Sequence, residues 1–116
     1  MPHQTIEGVK PVKHKTFTVL CYLPGWDKKY CDWVYGADFI EALKGKFNVI
    51  VVDGSYDMEK VYPHVDLYVK YNRWEIQWTN RIALECRDLG IPVFRTDYKQ
   101  TDSENFKRLQ ATHEPI

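Results

Sequence analysis

The chain has 116 residues, sixteen basic (Lys plus Arg) and sixteen acidic (Asp plus Glu), and 44% of it is hydrophobic. That length suits one domain with a real core and is too short for two. The balanced charge removes the long-range field expected of a protein that seeks nucleic acid, an anionic membrane or a strongly acidic substrate. The longest apolar run, Phe47 to Val52 with Asn48 inside it, falls far below the roughly 20 residues of a membrane span. No apolar stretch follows a basic start, so no secretory signal is expected and the cytoplasm is the expected location.

Cys21, Cys31 and Cys86 are an odd set without Cys-x-x-Cys spacing, which in a reducing compartment implies buried thiols acting as small apolar residues. His3, His14, His64 and His113 are scattered, so no zinc or other metal site, and no cofactor, is implied.

Met1 to Lys15 holds Pro2, Gly8 and Pro11 with no regular period and reads as a flexible N-terminal arm. The domain proper spans residues 16–112. Thr16 to Leu23 is β-branched and aromatic and stops at Pro24-Gly25, giving a first strand and its turn. Between Lys29 and Lys44, the residues Tyr30, Trp33, Val34, Ala37, Ile40 and Leu43 recur at three- and four-residue steps. This predicts one helix closed by a left-handed Gly45. Phe47 to Val52, broken by Asp53-Gly54-Ser55, predicts a second strand covered on both faces. A short helix from Ser55 to Tyr62 should end before Pro63, and Val65 to Tyr71 gives a third strand.

Asn72 with Glu75 three positions on, followed by Trp78, Ile82, Cys86 and Leu89 and then Gly90, predicts a capped helix. Ile91 to Phe94 is a fourth strand with Pro92 near its start. Thr101 and Glu104 form a second capping box ahead of a last helix with Phe106 and Leu109 on one face. Residues 113–116 are a C-terminal tail. Strict alternation of strand and helix with short connections predicts a three-layer α/β domain of Rossmann-like or flavodoxin-like type. Its four-stranded parallel sheet is expected in the order 2-1-3-4.

Such sheets bind ligands outside the carboxyl ends of their strands, where the strand order reverses. The candidate binding residues are therefore Pro24, Gly25, Trp26, Asp27, Asp53, Ser55, Asn72, Arg73, Trp74 and Asp97, with Asp27 and Glu75 as candidate catalytic carboxylates. Aromatic rings beside Arg and carboxylates suit a nucleotide-like or sugar-containing ligand, through stacking and hydrogen bonds to hydroxyls. The same residues have a structural reading in which Asn72 and Glu75 cap a helix, Asp27 begins one and Trp74 edges the core. No Gly-x-Gly-x-x-Gly, no phosphate-loop Lys-Ser/Thr and no Gly-x-Ser-x-Gly is present, which disfavours dinucleotide, triphosphate and serine-hydrolase chemistry. Tyr22, Tyr30, Trp33, Tyr35, Tyr68 and Tyr71 fall on strands or a helix face, so core packing rather than stacking on bases accounts for them.

The segment Asp66-Leu-Tyr-Val-Lys-Tyr-Asn-Arg-Trp-Glu75, with Leu89-Gly-Ile-Pro-Val-Phe94 and the loop Leu23-Pro-Gly-Trp26, resembles the N-terminal Rossmann-like half of two-domain GT-B type glycosyltransferases across Thr16 to Tyr98. That resemblance implies a glycosyltransferase-like fold without the second domain that mainly binds the nucleotide-sugar donor. Tyr22-Leu-Pro-Gly25 together with Glu75 or Glu85 resembles the nucleoside deoxyribosyltransferase-like superfamily, implying a catalytic Glu near a later helix.

Three functions remain open on these grounds. The first is a binding domain for a nucleotide-like or sugar-containing ligand. The second is an interaction or inhibitory module that meets a protein partner, or a second copy, through a sheet edge. The third is an enzyme acting at a nucleoside glycosyl bond, with Glu75 as nucleophile or general base and Asp27 or Asp53 assisting.

Overall fold

A computed structural model describes residues 17–25, 28–53, 57–72 and 80–112. The β-branched runs form four strands, β1 (Thr18–Tyr22), β2 (Asn48–Val52), β3 (Leu67–Lys70) and β4 (Val93–Arg95), in one sheet of order β2-β1-β3-β4. Every pairing is parallel, with Val19 opposite both Val49 and Leu67, and Val69 opposite Phe94. The helices are α1 (Lys28–Tyr35), α2 (Ala37–Lys44), α3 (Met58–Val61), α4 (Arg81–Asp88) and α5 (Asp102–Thr112), with a 3-10 turn at Tyr62–His64. Among the described residues no helix is long and apolar enough to cross a membrane.

Because side chains alternate across a strand, each strand feeds two cores. Leu20, Ile50, Val52 and Tyr68 pack with Val61 and Tyr62, and with Ile82, Ala83 and Cys86 of α4. Val19, Cys21, Val49, Leu67, Val69 and Phe94 pack with Phe39, Ile40 and Leu43 of α2 and Leu109 of α5. Both faces are thus covered, which gives the three expected layers. Cys21, Cys31 and Cys86 are all buried, reduced thiols. Burial pushes the Cys21 thiol up to about 12 and the Cys86 thiol up to about 11.

Several local expectations are corrected. The single helix expected over residues 29–44 is two helices, divided at Gly36, whose φ of 68° is left-handed. A continuous apolar period hides this break, because each half keeps its own buried side. The division has a packing cause: a Cβ at Gly36 would lie 2.4 Å from the ring of Tyr71, just beyond the end of β3. Gly45, expected left-handed, is right-handed at φ −76°. The left-handed cap does occur at Gly90, at φ 76° after α4. The short helix stops at Val61, before Pro63 as expected, and a 3-10 turn follows it with the proline in its first positions, where no backbone donor is needed. Pro92 precedes β4, and its carbonyl accepts the Tyr68 N–H at 3.0 Å.

The two positive-φ glycines make a controlled pair. Gly90→Ala, where a Cβ meets nothing within 4 Å, should lose about 1 to 2 kcal/mol, the backbone cost alone. Gly36→Ala should lose about 1 to 3 kcal/mol more, since the Tyr71 ring must also move. Urea denaturation of both variants checks this, and equal losses would show that the ring gives way without cost.

Candidate functional site

The carboxyl ends of the strands are built from Leu23, Pro24 and Gly25 after β1, Asp53 after β2, Tyr71 and Asn72 after β3, and Thr96 and Asp97 after β4. With the order β2-β1-β3-β4, the reversal lies between β1 and β3. Trp26, Asp27, Ser55, Arg73, Trp74 and Glu75 lie outside the described residues.

Pro24 is buried, and its carbonyl accepts a hydrogen bond from Cys31 Sγ at 3.2 Å, which ties the loop to α1. Gly25 is exposed, with no atom within 4 Å of where a Cβ would stand, and Asp53 is exposed on the neighbouring loop.

Asn72 is buried. Its backbone N–H donates to Thr96 Oγ1 at 2.6 Å, its Nδ2 donates to the Thr96 carbonyl at 3.1 Å, and its Oδ1 accepts from Lys70 Nζ at 3.1 Å. It therefore clamps the ends of β3 and β4 together. The described helix of this stretch, α4, takes its cap from Asn80, whose side chain accepts the Ala83 N–H and donates to the Tyr68 hydroxyl. This corrects the expectation that Asn72 and Glu75 set the start of that helix: a second asparagine eight residues on does so from against the core. Asp97 arranges its own turn. Its carboxylate accepts the Lys99 N–H, and its N–H and C=O both meet the side chain of buried Asn105. The capping box expected at Thr101 and Glu104 is present in both directions, at 2.8 and 3.1 Å.

Two residues absent from the sequence-based candidates dominate the electrostatics. Lys70 and Arg95 are opposite each other in the β3–β4 register and lie two residues beyond Tyr68 and Val93, so both project from the same face as those residues, the one covered by α4. Lys70 is half-buried, and burial, with the Arg95 charge second, holds its ammonium below the usual lysine range. Among the described residues neither cation has a carboxylate within ion-pair distance. The signal was present in the sequence: Leu-Tyr-Val-Lys70 and Val-Phe-Arg95 each end an apolar strand on a cation at the same step of the period.

Glu85, placed in a catalytic role by one resemblance, lies within α4, where it accepts from the Tyr62 hydroxyl and from Arg81 Nε. Those two bonds hold its carboxyl below the ordinary range. Among the described residues no group of three or more His, Cys, Asp or Glu could hold a metal ion. Comparison of the chain with protein-family models, curated proteins and solved structures gives no match.

Asn72→Leu should lose about 2 to 3 kcal/mol in denaturant unfolding, because it leaves the Thr96 carbonyl without its donor inside the protein. Lys70→Met should be more stable than the parent at neutral pH. The sign follows from the lowered folded value: between it and the unfolded value of about 10.4, the unfolded chain binds more protons, so the parent recovers stability as pH rises. The gap between variant and parent should therefore close towards pH ~10.5. Taking the difference cancels the opposite alkaline loss from Cys21 and Tyr68, both pushed up to about 12 by burial. A gap that does not change with pH would assign the effect to packing instead.

Proposed function

We propose that the chain is a small ligand-binding domain that takes a nucleotide-like or sugar-containing ligand at the carboxyl ends of its strands, with an anionic group of that ligand against Lys70 and Arg95. The observation that carries this reading is the cation pair itself. Two like charges in register on adjacent strands, one half-buried and neither ion-paired among the described residues, repel each other. An anion reverses the sign of that interaction. At 4 Å, one charge pair near a protein surface is worth about 4 kcal/mol at an effective dielectric of 20, against about 1 kcal/mol in bulk water.

The surroundings favour a phosphorylated small molecule over a bare ion. Gly25 is exposed at the β1 end, and Asn72 fixes the position of the Lys70 ammonium. Trp26 and Trp74, which follow β1 and β3 in the sequence, would supply stacking surface for a ring.

Thermal shift of the purified chain against UDP, ADP, UDP-glucose and glucose 6-phosphate, with uridine, adenosine and glucose as uncharged controls, tests the reading. A phosphorylated compound at 100 times its dissociation constant should add about 2.7 kcal/mol of stability. Lys70→Met should abolish that gain while leaving the protein folded. Stabilisation by the uncharged controls alone would remove Lys70 and Arg95 from the site, and a flat response to the whole set would overturn the proposal.

A further inference from the structure

We propose that the outer edge of β4, together with the groove between β4 and α4, docks an extended acidic segment of another protein. Among the described residues β4 ends the sheet, with β3 as its single neighbour. It bonds to β3 through the Pro92 carbonyl and the Thr96 N–H. The alternation of a parallel ladder therefore turns the N–H and C=O groups of Val93 and Arg95 outward. The Arg95 carbonyl is taken by Arg108 Nη2 at 2.9 Å. That leaves the Val93 N–H, the Val93 C=O and the Arg95 N–H facing away from the sheet, the pattern an added strand can continue.

Beside this edge runs a groove of about 360 Å³ whose walls include Leu84, Ile91, Pro92 and Val93, with Arg87 and Arg95 as its charged lining among the described residues. Leu84 and Leu89, both on the α4 side, are the large hydrophobic residues that remain exposed among the described ones, at 39% and 59%. Backbone groups in a row, apolar side chains and two guanidinium groups fit an extended segment whose side chains alternate between apolar and acidic.

Charge decides the occupant. A second copy of this chain, joined edge to edge about a two-fold axis, would set two copies of Arg87 and Arg95 along one seam, where like charges repel. The neighbouring acid, Asp88, meets Arg87 only at 3.6 Å with both side chains 72% exposed, a pairing of little strength. The guanidinium of Arg87 is thus available to a carboxylate.

The test uses the full chain and a short fluorescein-labelled peptide of alternating valine and glutamate, read by anisotropy and by hydrogen exchange. The glutamate peptide should bind about ten-fold or more tightly than its lysine counterpart. Leu84→Asp and Arg87→Glu, both at exposed positions, should each weaken it about ten-fold, and Arg87→Glu should improve the lysine peptide. On binding, the amides of Val93 and Arg95 should become protected. Leu84→Asp should leave the thermal response to phosphorylated compounds unchanged, which separates this surface from the strand-end ligand. Equal affinity for a peptide interrupted by proline would overturn the proposal, as would slow exchange of the Val93 and Arg95 amides in the isolated protein. Concentration-dependent dimerisation that protects the same amides would assign the edge to a second copy, and equal binding of oligothymidylate would assign it to polyanions in general; either replaces the acidic segment.

Discussion

The fold rests on one constraint: β1 and β3 are buried on both faces, so the interior of the molecule has almost no place for a polar side chain except at the two ends of the sheet. At the amino end, Thr18 resolves this by receiving the Asn48 amide on its hydroxyl and giving its backbone N–H to Asp66. At the carboxyl end the same pressure gathers Asn72, Thr96 and Asn105 into a set of side-chain-to-backbone bonds that fixes where β3 and β4 finish. Lys70 is held by that set through Asn72, and Arg95 lies opposite it in the register. Their closeness is a by-product of register, and it makes this end of the sheet electrostatically unlike the other.

Much of this architecture was legible in the sequence because it depends on patterns that survive small errors of boundary. Alternation of β-branched runs with helical periods gives the parallel sheet and its order whether a strand is counted from Thr16 or Thr18. The capping box at Thr101 and Glu104 is local, so its chemistry is complete within four residues. The division of the first helical stretch at Gly36 was not legible, since its cause is the ring of Tyr71, far along the chain. The exchange of Asn72 for Asn80 as a cap has the same origin. Both residues suit a helix start, and only the neighbouring Thr96 and Tyr68 decide which one turns towards the helix and which towards a strand.

The site was legible as a place and less so as a set of residues. Topology pointed to the strand ends and named Pro24, Gly25, Asp53, Asn72 and Asp97, but side chains there divide their work in ways that residue type does not reveal. Asn72 and Asp97 are engaged in building the loops, Pro24 anchors a helix through Cys31, and Gly25 and Asp53 are exposed. The cations that give the region its character sit one step inside the strands. A search confined to loops passes over them, whereas following the period-two alternation to the last strand residue would have found both.

The three thiols give the molecule a means of reporting its own integrity. Cys21 lies in one core, Cys86 in the other, and Cys31 at the junction of α1 with the loop after β1. All are closed to solvent in the folded state, and alkylation requires the thiolate, a form that burial disfavours at Cys21 and Cys86. Any labelling of these positions must therefore pass through an opening of the layer that covers each one. A single wild-type chain thus carries separate chemical clocks for its two cores and for the rim of the candidate site, and a ligand that tightens one layer will slow one clock without touching the others.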